Sequence, residues 1–446
     1  MAVDSGRAAG GWLARFIAGM VLTLGVAVAG QGPVETGSRA SSGNAIAEDY
    51  FGLHVFYPHM GTAWPAIRFG SLRIWDVPGT TWSDIEPVRG QWNFEALDKV
   101  VDLATRNGVS IVYTLGQTPP WASARPDEPA SRGPGRGAEP KSLADWEGYV
   151  RAVATRYRGR IKAYEIWNEP RFRDLYPWRN AGFYSGSARA MVDLSRVAYR
   201  TIKSVDPDAV VVSPAMDGED QAIKKFELFA REGGGEWCDV IGWHFYSLTS
   251  TRPEDLAVHY RDVRRMLDRV GLSNKPVWNT ETGVLVDHGK AVKPMDSRGI
   301  LSRVMTPQEA ANYLARSMVI LAGEGAVRYY WFAWDSGSMG ALSSLPPRAP
   351  SEVAFAYSGL RRWLVGASVE PCRDFPGGIF ACSLRRAGRT AFIVWSASGA
   401  REFSIPDAWK ATSREALFGG SARLEGQSIA LGERPILLKQ ENDDWK

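Results

Sequence analysis

The sequence predicts a (β/α)8 TIM barrel followed by a small C-terminal antiparallel β-sandwich module. Three observations predict it. Between residues 49 and 365, eight short apolar runs alternate with helical patterns. Most of these runs are continuous and do not alternate, as parallel strands covered on both faces require. After residue 365 the texture changes to short β-type runs such as "TAFIVWS" and "PILLK", separated by Gly, Pro and Ser, which is the pattern of antiparallel strands and turns. The 446 residues fit that division, because a barrel folds as one domain of ~250 residues or more.

The runs at 51–57, 72–75, 109–115, 161–167, 209–213, 239–244, 276–281 and 327–334 read as strands one to eight. Helical spacing is clear over 94–107, where Leu97, Val100, Val101 and Ala104 recur on one face, and over 143–158, with Trp146, Val150, Val153 and Tyr157. The segments 188–205 and 256–270 behave likewise. The first unit departs from the ideal, since the interval between strands one and two is too short for a full helix. The stretches 117–140 and 287–306 are long loops, and in a barrel such insertions line the functional rim. They carry Arg125, Arg132, Arg136, Lys141, Lys290, Lys293, Arg298 and Arg303, which either steer an acidic polysaccharide or form a solvated rim. The domain at 49–365 is therefore the barrel and 366–446 the β-sandwich module.

Hydrophobic residues make up 45% and charged residues 23%, which excludes wholesale disorder. The net charge of +4 is too small to call for a nucleic-acid partner. The 18 Trp residues offer flat apolar faces suited to stacking on sugars, or they fill a large core. The five histidines show no metal-ligand spacing, and there is neither a Walker loop nor a dinucleotide fingerprint. No metal or cofactor is expected.

At the N-terminus, Arg7 and Arg15 precede the apolar stretch "FIAGMVLTLGVAVA" at 16–29, which ends in a small-x-small pattern. It matches a signal-peptide apolar region and falls short of the ~18 residues of a comfortable membrane span. Residues 1–29 are read as a signal peptide, or as a membrane anchor if uncleaved, and 30–48 as a Gly/Ser/Ala-rich linker. The expected location is the periplasm or the exterior. Export bears on the cysteines. Cys372 and Cys382 are equidistant from Gly377, so a hairpin turn there sets them opposite each other for a disulfide. Cys238, beside an apolar strand, is expected as a buried thiol.

Strands four and seven carry the chemistry. The run "KAYEIW" stops at Asn168-Glu169-Pro170, and "KPVWNTETG" places Glu281 at the end of the seventh run. Both positions lie at the C-terminal ends of barrel strands, where barrel enzymes keep their active sites. Two carboxylates across one mouth are the equipment of glycoside hydrolysis. Pro170 lacks an amide donor and restricts Glu169 before it, which helps to end the strand. Asn168 is placed to hydrogen-bond a sugar 2-hydroxyl, and Trp334 is a candidate for stacking on the sugar.

"WNEP" after strand four with a glutamate ending strand seven resembles the retaining glycoside hydrolases of clan A. The similarity is greatest to glycoside hydrolase family 39, including its exopolysaccharide-degrading endoglycosidases. "WSDIEPVRGQWNF" at 82–94 and "HFY" at 244–246 are similar to stretches of that family, and the resemblance covers about residues 50–440. It implies that Glu169 is the acid/base and Glu281 the nucleophile, that Arg73 and Tyr246 touch Glu281, and that His244 lines the cleft. Thr282-Gly283 departs from the family, which has a bulky residue after the nucleophile. On these terms Arg73 and Tyr246 hold the Glu281 pKa down, while the negative Glu281 raises that of Glu169.

The expected function is a retaining β-glycoside hydrolase, endo-acting on a polysaccharide such as an exopolysaccharide. The rivals are an exo-acting xylosidase or iduronidase-like glycosidase and a non-catalytic carbohydrate-binding protein of polysaccharide assembly. The expected partner is a poly- or oligosaccharide, and the expected state is a monomer.

Overall fold

The computed structural model describes residues 44–177, 182–289, 291–295, 299–340, 350–440 and 445. The apolar segment at 16–29 and most of the expected 30–48 linker lie outside them. Within 44–48 the chain already docks on the fold: Ile46 bridges Val365, and Arg361 Nε donates to Glu48 at 2.8 Å.

Eight parallel strands form the barrel wall. They are β1 (Phe51–Leu53), β2 (Ser71–Ile74), β3 (Ser110–Leu115), β4 (Ala163–Ile166), β5, β6 (Ile241–His244), β7 (Val277–Thr282) and β8 (Arg328–Trp331). Consecutive strands pair in order, and β8 returns to β1 through Phe51↔Tyr329. β5 is split. Its segment Val210–Val212 pairs with β4, and its segment Met216–Asp217 pairs with β6. Pro214, which has no amide hydrogen, sits in the break. The gap is patched by the Val212↔Val240 bridge and by Gly242 N donating to Ser213 Oγ at 3.0 Å, so the wall closes. The expected barrel is borne out.

Besides one helical turn at Trp82–Ile85, the helices are α1 (Glu95–Arg106), α2 (Leu143–Arg156), α3 (Ala188–Val205), α4 (Asp220–Arg231), α5 (Asp255–Arg269), α6 (Pro307–Glu324) and α7 (Glu352–Leu364). In α1 the buried residues are Leu97, Val100, Val101 and Ala104, the face expected from the spacing. Between β1 and β2 there is only a 3-10 turn, Pro58–Met60. α6 was not legible as an amphipathic helix because every residue from Ala310 to Gly323 is buried; it is covered by the barrel on one side and by the C-terminal module on the other, which leaves no polar face to mark a period. Among the described residues no helix is long and apolar enough to cross a membrane.

The C-terminal module is antiparallel. Its strands are β9 (Ser368–Val369), β10 (Arg373–Phe375), β11 (Ile379–Arg386), β12 (Arg389–Ser396), β13 (Arg401–Ser404), β14 (Ser413–Ala416), β15 (Ser421–Arg423), β16 (Ser428–Leu431) and β17 (Ile436–Lys439). One sheet runs β9-β11-β12-β17-β14-β15, with β10 added on β11, and the other pairs β13 with β16. Alternation decides what each face touches. Ile379, Val394 and Leu438 pack with Phe403, Ile429 and Leu431 between the two sheets. Cys382, Leu384, Ile393 and Trp395 face the opposite way and join the barrel's core. The hairpin register is Arg373↔Ala381, and Cys372 and Cys382 are bonded. Cys238 is a buried free thiol.

Polar contacts fix the module against the barrel. Trp395 Nε1 donates to Glu254 at 2.8 Å, and Arg316 grips the same carboxylate at 2.7 and 2.6 Å. Helix α7 presents Gly359 to the module, where an added Cβ would lie 2.0 Å from the Leu417 carbonyl oxygen. A glycine inside a helix normally gains ~0.5–1 kcal/mol on mutation to alanine, but overpacking costs ~1–3 kcal/mol. Gly359→Ala therefore lowers the thermal unfolding temperature, whereas Gly148→Ala in α2, where a Cβ meets nothing within 4 Å, does not. Calorimetry of the two variants checks the contact.

Candidate active site

Strand β2 reads "SLRI". Leu72 and Ile74 point outward to the helices, so Ser71 and Arg73 must point into the barrel. Arg73 is fully buried there and makes three kinds of contact. Its Nε donates to Glu165 Oε2 at 2.8 Å, one terminal nitrogen donates to Glu281 Oε2 at 2.9 Å, and the other donates to Asn168 Oδ1 at 2.6 Å. One guanidinium thus ties together the ends of β2, β4 and β7, a task its planar fork of five donors suits. Because arginine only donates, the amide oxygen of Asn168 must face it. The amide NH2 remains for a ligand in the cavity that Asn168 lines.

Glu169 lies three residues beyond β4. Asn168 bridges Ala215, and Glu169 N donates to Ala215 O at 3.0 Å. Trp167 and Glu169 both take the left-handed backbone region, with φ of 68° and 43°. For Glu169 this differs from the extended backbone that Pro170 favours, and such residues cost ~1–3 kcal/mol each. The surroundings hold them in place: Trp167 N donates to Leu115 O at 3.0 Å, and its indole donates to Phe183 O at 2.7 Å.

The two glutamates meet across His244. Its Nδ1 lies 2.8 Å from Glu169 Oε1 and 3.9 Å from Glu281 Oε1, and one oxygen of each carboxylate and this nitrogen all fall within 4.8 Å of one another. Tyr246 donates to Glu281 Oε1 at 3.1 Å. Glu169 is the more open of the pair, with its side chain 18% exposed against 10% for Glu281. A cation bound at this trio would compete with the Arg73 guanidinium.

Burial raises both acids, against different neighbours. Burial, reinforced by the negative Asp217, pushes the Glu169 carboxyl up to about 8 against the opposing pull of Lys225, Arg73 and Arg171. Glu281 departs from expectation. Burial raises its pKa, and Glu169 adds to that, although His244, Arg73 and the Tyr246 hydroxyl all pull it down. Desolvation wins because the Glu281 side chain is only 10% exposed. Burial likewise lowers His244, so its ring is neutral near pH 7.

The structure therefore brings together Arg73, Asn168, Glu169, His244, Tyr246 and Glu281. It does not bring Trp334 with them: that ring is 2% exposed and does not line the cavity. Trp75, Phe183 and Phe332 line it instead. Thr282 and Gly283 are explained by packing. Thr282 Oγ1 donates to Phe245 O at 2.8 Å, and a Cβ on Gly283 would sit 2.3 Å from Phe332 O. The basic loops are largely neutralised. Arg125 is held by Glu128 and Glu139, Arg132 by Asp76, Arg136 by Asp84 and Arg303 by Glu309, while Lys290 and Arg298 lie outside the described residues.

Three charged residues were not anticipated: Glu165, and the ion pair of half-buried Asp217 with buried Lys225 beside Glu169. Glu165 left a signal, being a carboxylate inside an apolar run, which needs a buried partner. Asp217 left none, since it belongs to the short second segment of β5.

The cavity they share measures about 1080 Å³. Residues 79–224 match the family model described as glycosyl hydrolase family 10, a span that contains Glu169 and stops short of Glu281. Over 135 residues the chain is 27% identical to endo-1,4-beta-xylanase B of Thermotoga neapolitana, a match that covers 29% of this chain and 35% of the xylanase. The fold is similar to that of a family 39 glycoside hydrolase from Bacteroides cellulosilyticus WH2, with a TM-score of 0.63, 15% identity, and 89% of this chain and 82% of that one covered. It is also similar to a GH30 endoxylanase from Clostridium papyrosolvens C71 (TM-score 0.58, 11% identity, 90% and 98% covered). The GH39 enzyme from Xanthomonas axonopodis pv. citri is similar too (TM-score 0.57, 16% identity, 90% and 96% covered). These matches bear out the expected resemblance to clan A glycoside hydrolases.

The electrostatic assignment is testable without a ligand. Asp217→Asn removes the charge that helps to keep the Glu169 proton on and leaves Lys225 uncompensated, so the Glu169 carboxyl titrates below its value of about 8. Carbon-13 NMR of glutamate-labelled protein, assigned with Glu169→Gln, measures the change.

Proposed function

We propose that this protein is a retaining β-glycoside hydrolase that cuts inside a polysaccharide chain. The observation that carries the reading is the pair Glu169 and Glu281, one oxygen of each within 4.8 Å at the ends of β4 and β7. Retaining enzymes hold their carboxyls ~5–5.5 Å apart, and inverting enzymes leave ~6.5–9.5 Å for a water.

In this reading the Glu281 carboxylate attacks the anomeric carbon, and the bond to the leaving oxygen breaks as Glu169 delivers its proton there. A glycosyl ester on Glu281 results. Its formation removes the charge on Glu281, and the Glu169 carboxylate then takes a proton from water, which attacks the same carbon and frees Glu281. At neutral pH a carboxyl with a pKa of about 8 keeps its proton for the first step. Neutral His244, bonded to Glu169, orients it without adding charge. The Asn168 amide NH2 is offered to the sugar 2-hydroxyl.

The substrate follows from the cavity and the relatives. Its volume of about 1080 Å³ reaches the top of the ~300–1,000 Å³ usual for small-ligand sites and accommodates several sugar units. The xylanase and endoxylanase among the similar proteins support endo action on a β-linked chain, with xylans and exopolysaccharides as the two classes to try. The neutralised rim arginines give no support to steering of an anionic polymer. Export is part of the proposal; the bonded Cys372–Cys382 pair suits an oxidising compartment, as does the apolar segment at 16–29.

A panel of xylan, xyloglucan and bacterial exopolysaccharides with mass analysis of the products tests it. Glu281→Gln abolishes turnover of every substrate. Glu169→Gln loses ~10²–10⁴-fold on natural linkages and much less in the first step on dinitrophenyl glycosides, whose leaving group needs no proton. The wild-type kcat/KM falls above about pH 8 as Glu169 ionises, and this limb vanishes in Glu169→Gln. Binding without hydrolysis, unchanged in both variants, would instead identify a carbohydrate-binding protein.

A further inference from the structure

Glu165 takes no direct part in the chemistry proposed for Glu169 and Glu281, yet it is the most completely enclosed acid of the group, with no exposure. It lies in β4 four residues before Glu169, inside the barrel. Its Oε2 receives Arg73 Nε at 2.8 Å and Thr114 Oγ1 at 2.7 Å. Room for it is made across the lumen by Gly242 of β6, where an added Cβ would lie 3.1 Å from Glu165 Oε1. That oxygen has no hydrogen-bond partner. A buried carboxylate left half-bonded is costly, so what it does for its partner needs an explanation.

Arg73 is that partner, and Arg73 also serves Glu281 at 2.9 Å. We propose that Glu165 is a positioning residue that shares the Arg73 guanidinium with Glu281, and so sets how Glu281 balances attack on the sugar against departure from it. The inference rests on the reading of Glu281 as the nucleophile.

The logic is electrostatic. A guanidinium given wholly to Glu281 would make it a weak nucleophile and a good leaving group. A guanidinium drawn off by a second acid leaves Glu281 more basic, which favours formation of the glycosyl ester. Once that ester forms, the charge on Glu281 is gone, and Glu165 is then the carboxylate still hydrogen-bonded to Arg73. Glu165 keeps Arg73 compensated through both steps. Its aim also holds the fork that orients Asn168. The other groups facing Glu281 are Glu169 from the end of β4, His244 and Tyr246 from β6 and the segment after it, and Arg132 from the 117–140 loop. Burial raises the Glu281 carboxyl despite the guanidinium at hydrogen-bonding distance, in keeping with a charge that is divided.

Two variants test the sharing. Glu165→Gln keeps an oxygen for Arg73 but removes the competing charge. Thr114→Val keeps both charges and removes the hydroxyl that also bonds Glu165, which leaves that oxygen to Arg73 alone. The Glu281 carboxyl is followed by carbon-13 NMR of glutamate-labelled protein across a pH series, assigned by difference with Glu281→Gln, and folding is checked by circular dichroism. In Glu165→Gln the titration moves down by roughly one pH unit, and in Thr114→Val it moves slightly up. An unmoved titration in both, or a fall in both, overturns the proposal; if Glu165→Gln does not fold, the direction in Thr114→Val decides. Because the measurement needs no substrate, its failure is distinct from a failure of the hydrolase reading, which the polysaccharide panel reports.

Discussion

The site depends on one buried cation. Arg73 has no exposure, so its charge must be met within the barrel or the fold bears an unpaired ion in low dielectric. It is met by Glu165 and Glu281, with the Asn168 amide filling the remaining direction. Those contacts join three strands that are distant in sequence. Removing one partner of such a group typically costs ~3–5 kcal/mol, so the arrangement resists disorder and holds Glu281 at a fixed place and angle.

The rest of the mouth is arranged around that anchor. The left-handed backbone at Trp167 and Glu169 turns the second carboxyl toward His244 and the first. The break in β5 is part of the same construction. It lets the segment Met216–Asp217 join β6, which brings Asp217 and its partner Lys225 beside Glu169. Burial raises both carboxyls, and the neighbours differ: Asp217 adds to the rise at Glu169, while His244, Arg73 and the Tyr246 hydroxyl oppose it at Glu281.

Much of this was legible in the sequence. Continuous apolar runs gave the parallel strands, and strand ends gave Glu169 and Glu281, because barrel geometry sends such residues to one mouth. The module's hairpin was readable from Gly377 and its flanking cysteines. What escaped had physical reasons. Helix α6 has no polar face, so no period marked it. Trp334 follows a barrel strand as a stacking residue should, but packing buries it and leaves Phe332 at the cavity. The pKa of Glu281 was misjudged because a sequence shows which charges are near and not how thoroughly water is excluded. The basic loops looked like a steering surface because their acids, Asp76, Glu128 and Glu139, are interleaved with them or distant in the chain, and only the fold shows which pairs form.

The central claim is that a sugar passes through a covalent bond to the protein at this pair of carboxylates. Proton NMR of the reducing end formed in the first moments of hydrolysis, before mutarotation, tests it most directly. The account predicts that the new anomer has the configuration of the bond that was cut. Appearance of the opposite anomer first would mean a single displacement by water, and the roles given to Glu169 and Glu281 would be wrong.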